Sequence, residues 1–378
     1  MTASTDIQAL EPFFAFRHRA LGAIEVGGET LDIIDIVDAE NPYISLEVTD
    51  AIDDRSDEFA IEIYDPDLRW RSDLYPQHGE TFEVEFGWKT GELVYESEVM
   101  VFQVDSIDSS LRDSVSLKGV ATPPLSGLRT RNDRSWQSIT LHELFEFFAG
   151  VLGLELVGEA SDVEYEELLQ ESQTDLEFLA TEAAKHDHLF KIEGARRLVI
   201  FRQADLDAEP PAYTLTPQDF LKGATQYSDN LRDVYGKVRV KCENPDTDES
   251  IAYEITATGL PEGECFEIVE QGIDSRDQAI ERGVAALRKK NADMVTLSFK
   301  TLGSTRYRAG LNFALEGAGR AVDGKFQLKQ SKHSHQRGSA WTTRHQSRKI
   351  IDLGEIEVEE IQLPPEEDSD AQLDTGDE

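Results

Sequence analysis

The chain has 378 residues, of which 75 are acidic and 37 basic, so its formal net charge at pH 7 is −38. This length predicts two or three domains, and no apolar run reaches the roughly 18 residues that a membrane-spanning helix needs. The acidic excess argues against nonspecific DNA binding, because phosphate contacts require Lys and Arg.

The N-terminal segment MTASTDIQALEP lacks the basic start and apolar run of a signal peptide, so we expect synthesis in the cytoplasm. Cys242 and Cys265 have no metal-type spacing, which favours free thiols and permits at most one optional disulfide. Three explanations fit the acidity: a halophile's solubility strategy, a channel lining that must not hold nucleic acid, and an ordinary acidic surface. Composition does not separate them.

Residues 1–122 are predicted to form a first small antiparallel β-barrel. From about residue 29 to residue 120, polar and apolar positions alternate as in strands with one buried face, and turn residues separate the runs. The strand-like segments are TLDIIDIV, ISLEVTD, EFAIEIYD, TFEVEFGW, VMVFQVDSI and SVSLKGV.

The pattern changes after the two prolines of ATPPLS, and residues 123–224 are predicted to form a mixed α/β domain. Thr140 and Glu143 match a capping box. The apolar stripe that follows consists of Leu141, Leu144, Phe145, Phe148 and Leu152. A second box, Thr174 with Glu177, opens the helix TDLEFLATEAAK, and the segments LFKI and RLVIFR form a hairpin around EGAR.

Residues 225–350 are predicted to form a second barrel that contains one helix. The strand patterns are DVYGKVRVKC, AYEITATG, MVTLSFKT, NFALEG, KFQLKQSKH and SAWTTRHQS. The helix SRDQAIERGVAALRKK lies between the second and third of them, with Ser275 and Gln278 as its capping pair. Its apolar face carries Ile280, Val284 and Leu287.

Residues 351–378 contain twelve acidic residues and no basic one, which predicts a solvated tail with a mobile end. Ile356 and Val358 alternate with polar residues, so the first part of this tail is suited to pair as a strand with a partner. The predicted fold class is therefore mainly β with an α+β insert: two small antiparallel β-barrels flank a mixed α/β middle domain, followed by the acidic tail.

This order of segments resembles the late-control D family of phage tail proteins, the hub of a contractile tail, and the hub half of the valine-glycine-repeat spike proteins of type VI secretion. The resemblance covers about residues 40–350 and is carried by ISLEVTDAIDDRSDEFAIEIYDPD, HGETFEVEFGW with VMVFQVDSID, LLQESQTDLEFLATEAAKHDHLFKIEG, and RYRAGLNFALEGAGRAVDGKFQLKQSKHSHQRGSAWTTR. The matching positions, which are the candidate motif or interface residues, are Asp57, Asp65, Gly79, Thr174, Asp175, Phe178, Leu179, Gly310, Asp323, Gly324, His333 and Thr343. Asp187 departs from the family, which often has Gly before the hairpin, and the acidic tail is no part of the shared pattern.

The resemblance implies a scaffold, with no catalytic residue, cofactor or metal. In the family, three hub chains contribute two barrels each to a pseudo-sixfold ring, which matches a hexameric tube on one side and a trimeric spike on the other. The expected partners are two further copies of the chain, the tail tube protein and the spike, together with baseplate wedge and tape-measure proteins. Neither sequence-specific nucleic acid nor stable membrane insertion is expected. The expected location is the virion tail baseplate or an injection particle.

Two histidine pairs suggest metal binding as an alternative. His333 and His335 are two residues apart on one predicted strand, which places both imidazoles on one face, with His345 as the nearest further ligand. We favour surface or interface histidines on a barrel strand. His186 and His188 form a second pair at a helix-to-strand junction, and a metal is equally disfavoured there.

The basic run from Lys325 to Lys349 includes Trp341, a combination that also suits nucleic-acid stacking. We favour neutralisation of these charges by the acidic tail, within the chain or in a neighbouring subunit. The segment GAG at 317–319 is interpreted as a turn, because no helix and no P-loop Lys follow it.

No catalytic motif stands out, and acid pairs such as Glu143 with Glu146 are expected by chance in so acidic a chain. Two other function classes stay open. One is a peptidoglycan-degrading tail enzyme built on a carboxylate pair. The other is a carbohydrate-binding tail module, although the four tryptophans lie in separate segments: Trp70, Trp88, Trp136 and Trp341.

Overall fold

A computed structural model describes most of the chain and shows two compact units. The described residues are 11–26, 29–35, 43–52, 56–77, 79–90, 93–96, 99–111, 113–121, 130–230, 234–243, 250–261, 264–271 and 276–362. The first unit comprises residues 1–184, 188–229 and 293–350, and the second comprises residues 185–187, 230–292 and 351–378. The predicted division at residues 122, 224 and 350 is not tested by this grouping and stays a prediction.

The predicted mainly β fold is confirmed, and eight strands make up the described part of residues 1–122. They are β1 (Glu11–Val26), β2 (Glu29–Asp35), β3 (Tyr43–Ala51), β4 (Glu58–Tyr64), β5 (Thr81–Thr90), β6 (Leu93–Glu96), β7 (Met100–Ser109) and β8 (Ser114–Val120). Their inward positions, including Phe16, Ile61 and Phe82, form one apolar core. The alternation in the sequence therefore marks a buried face, as predicted.

The middle of the chain mixes short strands with helices. The elements are β9 (Arg131–Thr140), α1 (Leu141–Leu152), β10 (Glu155–Val157), β11 (Glu164–Thr174), α2 (Asp175–Lys185), β12 (His188–Glu193), β13 (Arg197–Arg202), α3 (Gln203–Ala208), β14 (Tyr213–Leu215) and β15 (Gln226–Asp229). Both predicted capping boxes are present: Thr140 exchanges hydrogen bonds with Glu143, and Thr174 does so with Glu177. These bonds satisfy amide donors that a helix start otherwise leaves unpaired.

The remaining elements are β16 (Lys237–Glu243), β17 (Ser250–Ala257), β18 (Cys265–Gln271), α4 (Arg276–Asn291), β19 (Val295–Leu302), β20 (Asn312–Leu315), β21 (Gly324–Gln336), β22 (Thr342–Lys349) and β23 (Ile356–Gln362). The predicted cap residue Ser275 lies outside the described residues. Among the described residues, no helix combines the length and the apolar character that crossing a bilayer requires.

One large sheet dominates the first unit. Its main path runs β15-β19-β22-β21-β3-β4-β8-β7-β5-β1-β2, with β6, β14 and β20 attached at its sides. The antiparallel pairing of β21 with β3 extends from Gln330 opposite Ala51 to Gln336 opposite Ser45, and it joins strands from the two ends of the sequence. Along the described strands this path is open, and closure into two barrels stays a prediction.

The second unit is a four-stranded sheet, β18-β16-β17-β23, with α4 on one face. Gly283 of α4 allows a close approach, because a Cβ there would lie 2.2 Å from Ile255 Cδ1. The start of the acidic tail, β23, pairs with β17 of the same chain from Ile356 to Gln362. The first part of the tail therefore forms a strand, as its alternation predicts, and this strand pairs within the chain.

Trp341 fills the core of the first unit and is packed against a glycine. Its side chain is fully buried, and its ring lies 5.2 Å from that of Trp88 between centroids. A Cβ on Gly303 would lie 1.9 Å from Trp341 Cδ2, and the Gly303 carbonyl accepts a hydrogen bond of 2.7 Å from Trp88 Nε1. This contact between two rings and a backbone leaves no space for a methyl group.

Gly303→Ala is therefore expected to lower the free energy of unfolding by about 1–3 kcal/mol, since overpacking moves a buried ring or the backbone. Gly150→Ala is the matched control, because Gly150 is an exposed residue of α1 with no atom within 4 Å of a built Cβ. The control is expected to stabilise by up to about 1 kcal/mol. Urea unfolding measures both. A Gly303→Ala variant that is as stable as the wild type would contradict this packing.

Candidate functional site

A buried cluster of two carboxylates and one lysine connects β3 to β12 in the first unit. Lys191 Nζ lies 3.0 Å from Asp50 Oδ1 and 3.8 Å from Asp57 Oδ2. Asp50 Oδ2 also accepts a hydrogen bond from the backbone N–H of Ala309 at 2.8 Å, and Asp57 Oδ1 accepts one from that of Ala51 at 3.2 Å. We call Asp50, Asp57 and Lys191 the carboxylate–lysine cluster.

Burial acts in opposite directions on the pKa values of Asp57 and Lys191. Burial is the main cause that raises the pKa of Asp57 to about 7; the Lys191 ammonium opposes this shift and Asp50 adds to it. Burial opposes the charged form of Lys191, but the two aspartates outweigh it and raise the lysine pKa. Asp57 is 1% exposed, so the cluster holds strands together and does not present an acid pair to solvent.

The pH dependence of stability follows from the raised pKa of Asp57. Folded Asp57 keeps its proton up to about pH 7, whereas the unfolded residue ionises near its ordinary pKa of 3.8. The folded state therefore binds more protons in this window, and the stability from this group is lost as the pH rises from about 4 to 7. Asp57→Asn should remove this loss.

Urea unfolding of wild type and Asp57→Asn at pH 5, 6, 7 and 8 measures the effect. The stability of the wild type relative to the variant should fall by roughly 1–3 kcal/mol between pH 5 and pH 8. A difference that stays constant with pH would show that Asp57 has no raised pKa.

Asp65 and Asp175 each organise a local structure. Asp65 accepts hydrogen bonds from the Trp70 backbone N–H at 3.2 Å and from Arg71 Nε at 3.0 Å, which fixes the turn after β4. Burial opposes ionisation of Asp175, but hydrogen bonds from Arg134, Gln170 and Asn132 outweigh it and lower its pKa. These bonds join the β9–β11 ribbon to the start of α2.

Further candidate residues from the family resemblance are in the apolar core that α1 and α2 share. Phe178 and Leu179 are 1% and 0% exposed, and the Phe178 ring stacks on Trp136 with 5.5 Å between centroids. Thr174 caps the helix that carries them. A role of these residues toward a partner stays a prediction, and within the chain they serve packing and capping.

The matched glycines sit in turns. Gly79 and Gly310 have φ of 92° and 91°, a region that favours glycine, and the Gly310 N–H donates to the Leu328 carbonyl at 2.7 Å. Asp323 Oδ1 accepts a hydrogen bond from the Ala318 N–H at 2.8 Å, which closes the predicted turn at 317–319, and Gly324 follows at the start of β21. Asp187 has φ of 60°, so an aspartate adopts the left-handed backbone where the family often has glycine.

The histidines expected at the surface or at an interface are buried within the chain: His333, His335 and His345 are 4%, 8% and 0% exposed. β21 and β22 lie inside the sheet, so their inward side chains enter the core. His333 Nδ1 hydrogen-bonds Thr343 Oγ1 at 2.9 Å, and His345 bonds Ser331 Oγ at 3.0 Å and Thr301 Oγ1 at 3.1 Å. We call the three histidines the histidine cluster.

Both ring nitrogens of His335 are also engaged, by Tyr43 OH at 2.7 Å and by the Ser339 carbonyl at 3.1 Å. Burial lowers the pKa of His333 to about 4 and that of His345 to about 3. In the part of the chain that the structure describes, no group of three or more His, Cys, Asp or Glu is arranged to hold a metal ion.

The neutral histidines give a second pH dependence, opposite in sign to that of Asp57. Because the folded pKa of His333 lies below the ordinary 6.5, its neutral form favours folding, and this contribution is lost as the pH falls from about 6.5 to 4. His333→Gln keeps an amide partner for Thr343 and does not titrate. The wild type should lose roughly 1–3 kcal/mol relative to this variant between pH 7 and pH 4, measured by urea unfolding. Parallel pH profiles would contradict a buried neutral His333.

Three cations of the basic run pair with carboxylates of the first unit. Lys329 Nζ lies 2.9 Å from Asp293 Oδ1, Lys332 Nζ lies 2.7 Å from Glu47 Oε2, and Arg348 forms a buried ion pair with Asp207. These carboxylates precede the acidic tail, so the expected neutralisation by the tail is not needed for these three charges. Residues 363–378 of the tail lie outside the described residues. Trp341, fully buried, is not accessible for stacking on a nucleic acid.

Several structural residues were not identified from the sequence. Lys191 appears in HLFKIEG as an ordinary outward strand position, and Gly303 appears as an ordinary turn glycine. A lysine in an otherwise apolar hairpin strand was the available signal for the first. Nothing local in the sequence indicates that Gly303 meets Trp341.

No protein-family model matches the chain, and no curated protein sequence matches it. Solved structures share its fold. The 43 kDa tail protein of prophage MuSo2 from Shewanella oneidensis has a TM-score of 0.66 at 15% identity, over 91% of this chain and 100% of that one. A tail protein from Neisseria meningitidis MC58 has a TM-score of 0.62 at 15% identity, over 90% and 98% of the two chains.

The E. coli c3393 protein, a component of the type VI secretion system, also shares the fold, with a TM-score of 0.52 at 11% identity, over 84% of this chain and 77% of that one. At these identities the likeness establishes the fold. The chain therefore shares the fold of these tail proteins, and the mainly β fold class is confirmed.

Proposed function

We propose that the chain is a structural component of a contractile phage tail or a related injection device, located in the baseplate as the hub between tube and spike. The observation that carries this proposal is the match to the MuSo2 tail protein over 91% of this chain and 100% of that one. The likeness thus extends over most of this chain and all of that one.

The internal chemistry supports a scaffold role. The carboxylate–lysine cluster and the histidine cluster of the first unit are buried and internally hydrogen-bonded. Groups of this kind hold strands in register; a substrate needs accessible groups. We therefore propose no catalytic residue and no cofactor.

The proposed assembly is a homotrimer whose ring meets the hexameric tube on one face and the trimeric spike on the other. Baseplate wedge and tape-measure proteins are the further proposed neighbours. Sheet edges support such an assembly, because an open edge presents unpaired N–H and C=O groups that another chain can satisfy. A ring of this kind leaves fewer edges open than three separate chains.

Light scattering of the purified chain, alone and mixed with the spike protein of the same particle, tests the proposal. We expect a mass of three hub chains in the complex and ring-shaped particles in electron micrographs. The chain alone serves as the control for spike-dependent assembly. A chain that stays strictly monomeric with the spike, and forms no ring, would overturn the hub proposal.

A further inference from the structure

The outer face of the four-stranded sheet in the second unit carries charges in cross-strand register. Arg239 on β16 lies opposite Glu254 on β17 and Glu267 on β18. Arg239 Nη2 lies 3.0 Å from Glu254 Oε2, and Lys237 Nζ lies 3.2 Å from Glu254 Oε1. Across these three strands, acidic and basic residues alternate in sign.

Strand β23 breaks this alternation. Glu359 lies directly opposite Glu254, a like-charge arrangement that is unfavourable in a sheet unless a cation lies on the other side. Glu357 lies opposite Thr256 on the same face. Both glutamates are exposed. Lys237, which lies 3.2 Å from Glu254, also interacts electrostatically with Glu359, so Glu254 and Glu359 share this cation. The row of charges therefore ends on β23 with an acidic excess.

β23 is also an edge of the sheet. Among the described residues it pairs only with β17, and no described strand lies along its other side. Ile356 and Val358 point toward the core of this unit, which fixes the register and directs Glu357 and Glu359 to the outer face. A strand added here would extend a sheet whose register is already set.

A second β23 is a poor occupant of this edge. Antiparallel self-pairing centred on Glu359 would place two Glu359 side chains opposite each other, and residues 351–378 contain no Lys or Arg that would compensate. An acidic edge discourages aggregation for the same reason. A strand with Lys or Arg at alternate positions meets no such repulsion and restores the alternation of sign.

We propose that the β23 edge binds an extended segment of a partner protein, which adds a fifth strand and presents Lys or Arg opposite Glu357 and Glu359. Backbone hydrogen bonds supply the binding, and the two glutamates select a basic partner. The inference rests on the second unit alone and does not depend on the hub role. A failed ring assay therefore leaves it standing, and its own failure leaves the hub role standing.

A peptide probe tests the proposal on the full chain. The probe is acetyl-TKVKVKT-amide, and its control is the same peptide with N-methyl groups on alternate residues, which keeps the charge and removes hydrogen-bond donors along one edge. At about 150 mM salt, where the Debye length is about 8 Å, charge attraction alone is strongly screened. We expect the unmodified probe to bind and to slow amide hydrogen exchange in β23.

Paired variants separate the site from the overall charge. Glu357→Gln with Glu359→Gln should weaken binding by about 2- to 30-fold, which corresponds to two cross-strand charge pairs. Glu166→Gln with Glu167→Gln removes the same charge from two exposed positions of β11 and should leave the affinity within about 2-fold. Circular dichroism checks that both variants fold.

Three results would overturn the proposal. The first is an N-methylated peptide that binds as tightly as the unmodified probe, and the second is an equal loss of affinity in the two double variants. The third is unchanged hydrogen exchange in β23 at probe concentrations up to about 1 mM, since a dissociation constant above this value means a binding free energy weaker than about −4 kcal/mol.

Discussion

The antiparallel pairing of β3 with β21 is the contact on which the rest of the first unit depends. It joins Ser45–Ala51 to Gln330–Gln336. Residues from the second half of the chain therefore pack in the apolar core that the first half of the chain forms. His335 stacks on Phe14 with 4.8 Å between ring centroids, and Trp341 meets Phe14 edge-on at 5.6 Å. Without this pairing, two sheet edges and a fully buried tryptophan would face water.

Contacts this distant in sequence explain which parts of the fold were predictable. The starts of α1 and α2 were, because a capping box such as Thr140 with Glu143 is complete within four residues. Strand alternation likewise identified buried faces. The partner of each strand was not predictable, because alternation fixes which face is buried and leaves open which strand lies beside it. The partnership of β23 with β17 is one example, and that of β3 with β21 is the other.

The site was predictable to a similar extent. The sequence singled out His333 and Thr343, and the structure joins them by a hydrogen bond. The sequence also suggested that the histidines lie at the surface or at an interface, because a polar strand is expected to be exposed as long as its neighbours in the sheet are unknown. Lys191 was missed because the two aspartates that compensate its buried charge are distant from it in sequence.

Acidic and basic residues are distributed differently over the structure. Lys191, Arg134 and Arg348 form ion pairs with carboxylates inside the first unit, whereas many of the other acidic residues lie at exposed positions, including those on β23. Internal pairing of this kind fixes strand register, and the acidic edges disfavour contact between identical edges. The same arrangement suits a chain that assembles with different proteins in a particle.

Cryo-electron microscopy of the intact particles from the organism that encodes the chain tests the central claim most directly. The account predicts density for three copies of this fold at the junction of tube and spike, with the β3–β21 pairing visible within each copy. Absence of the chain from purified particles, or density for it in a different ring, would contradict the account.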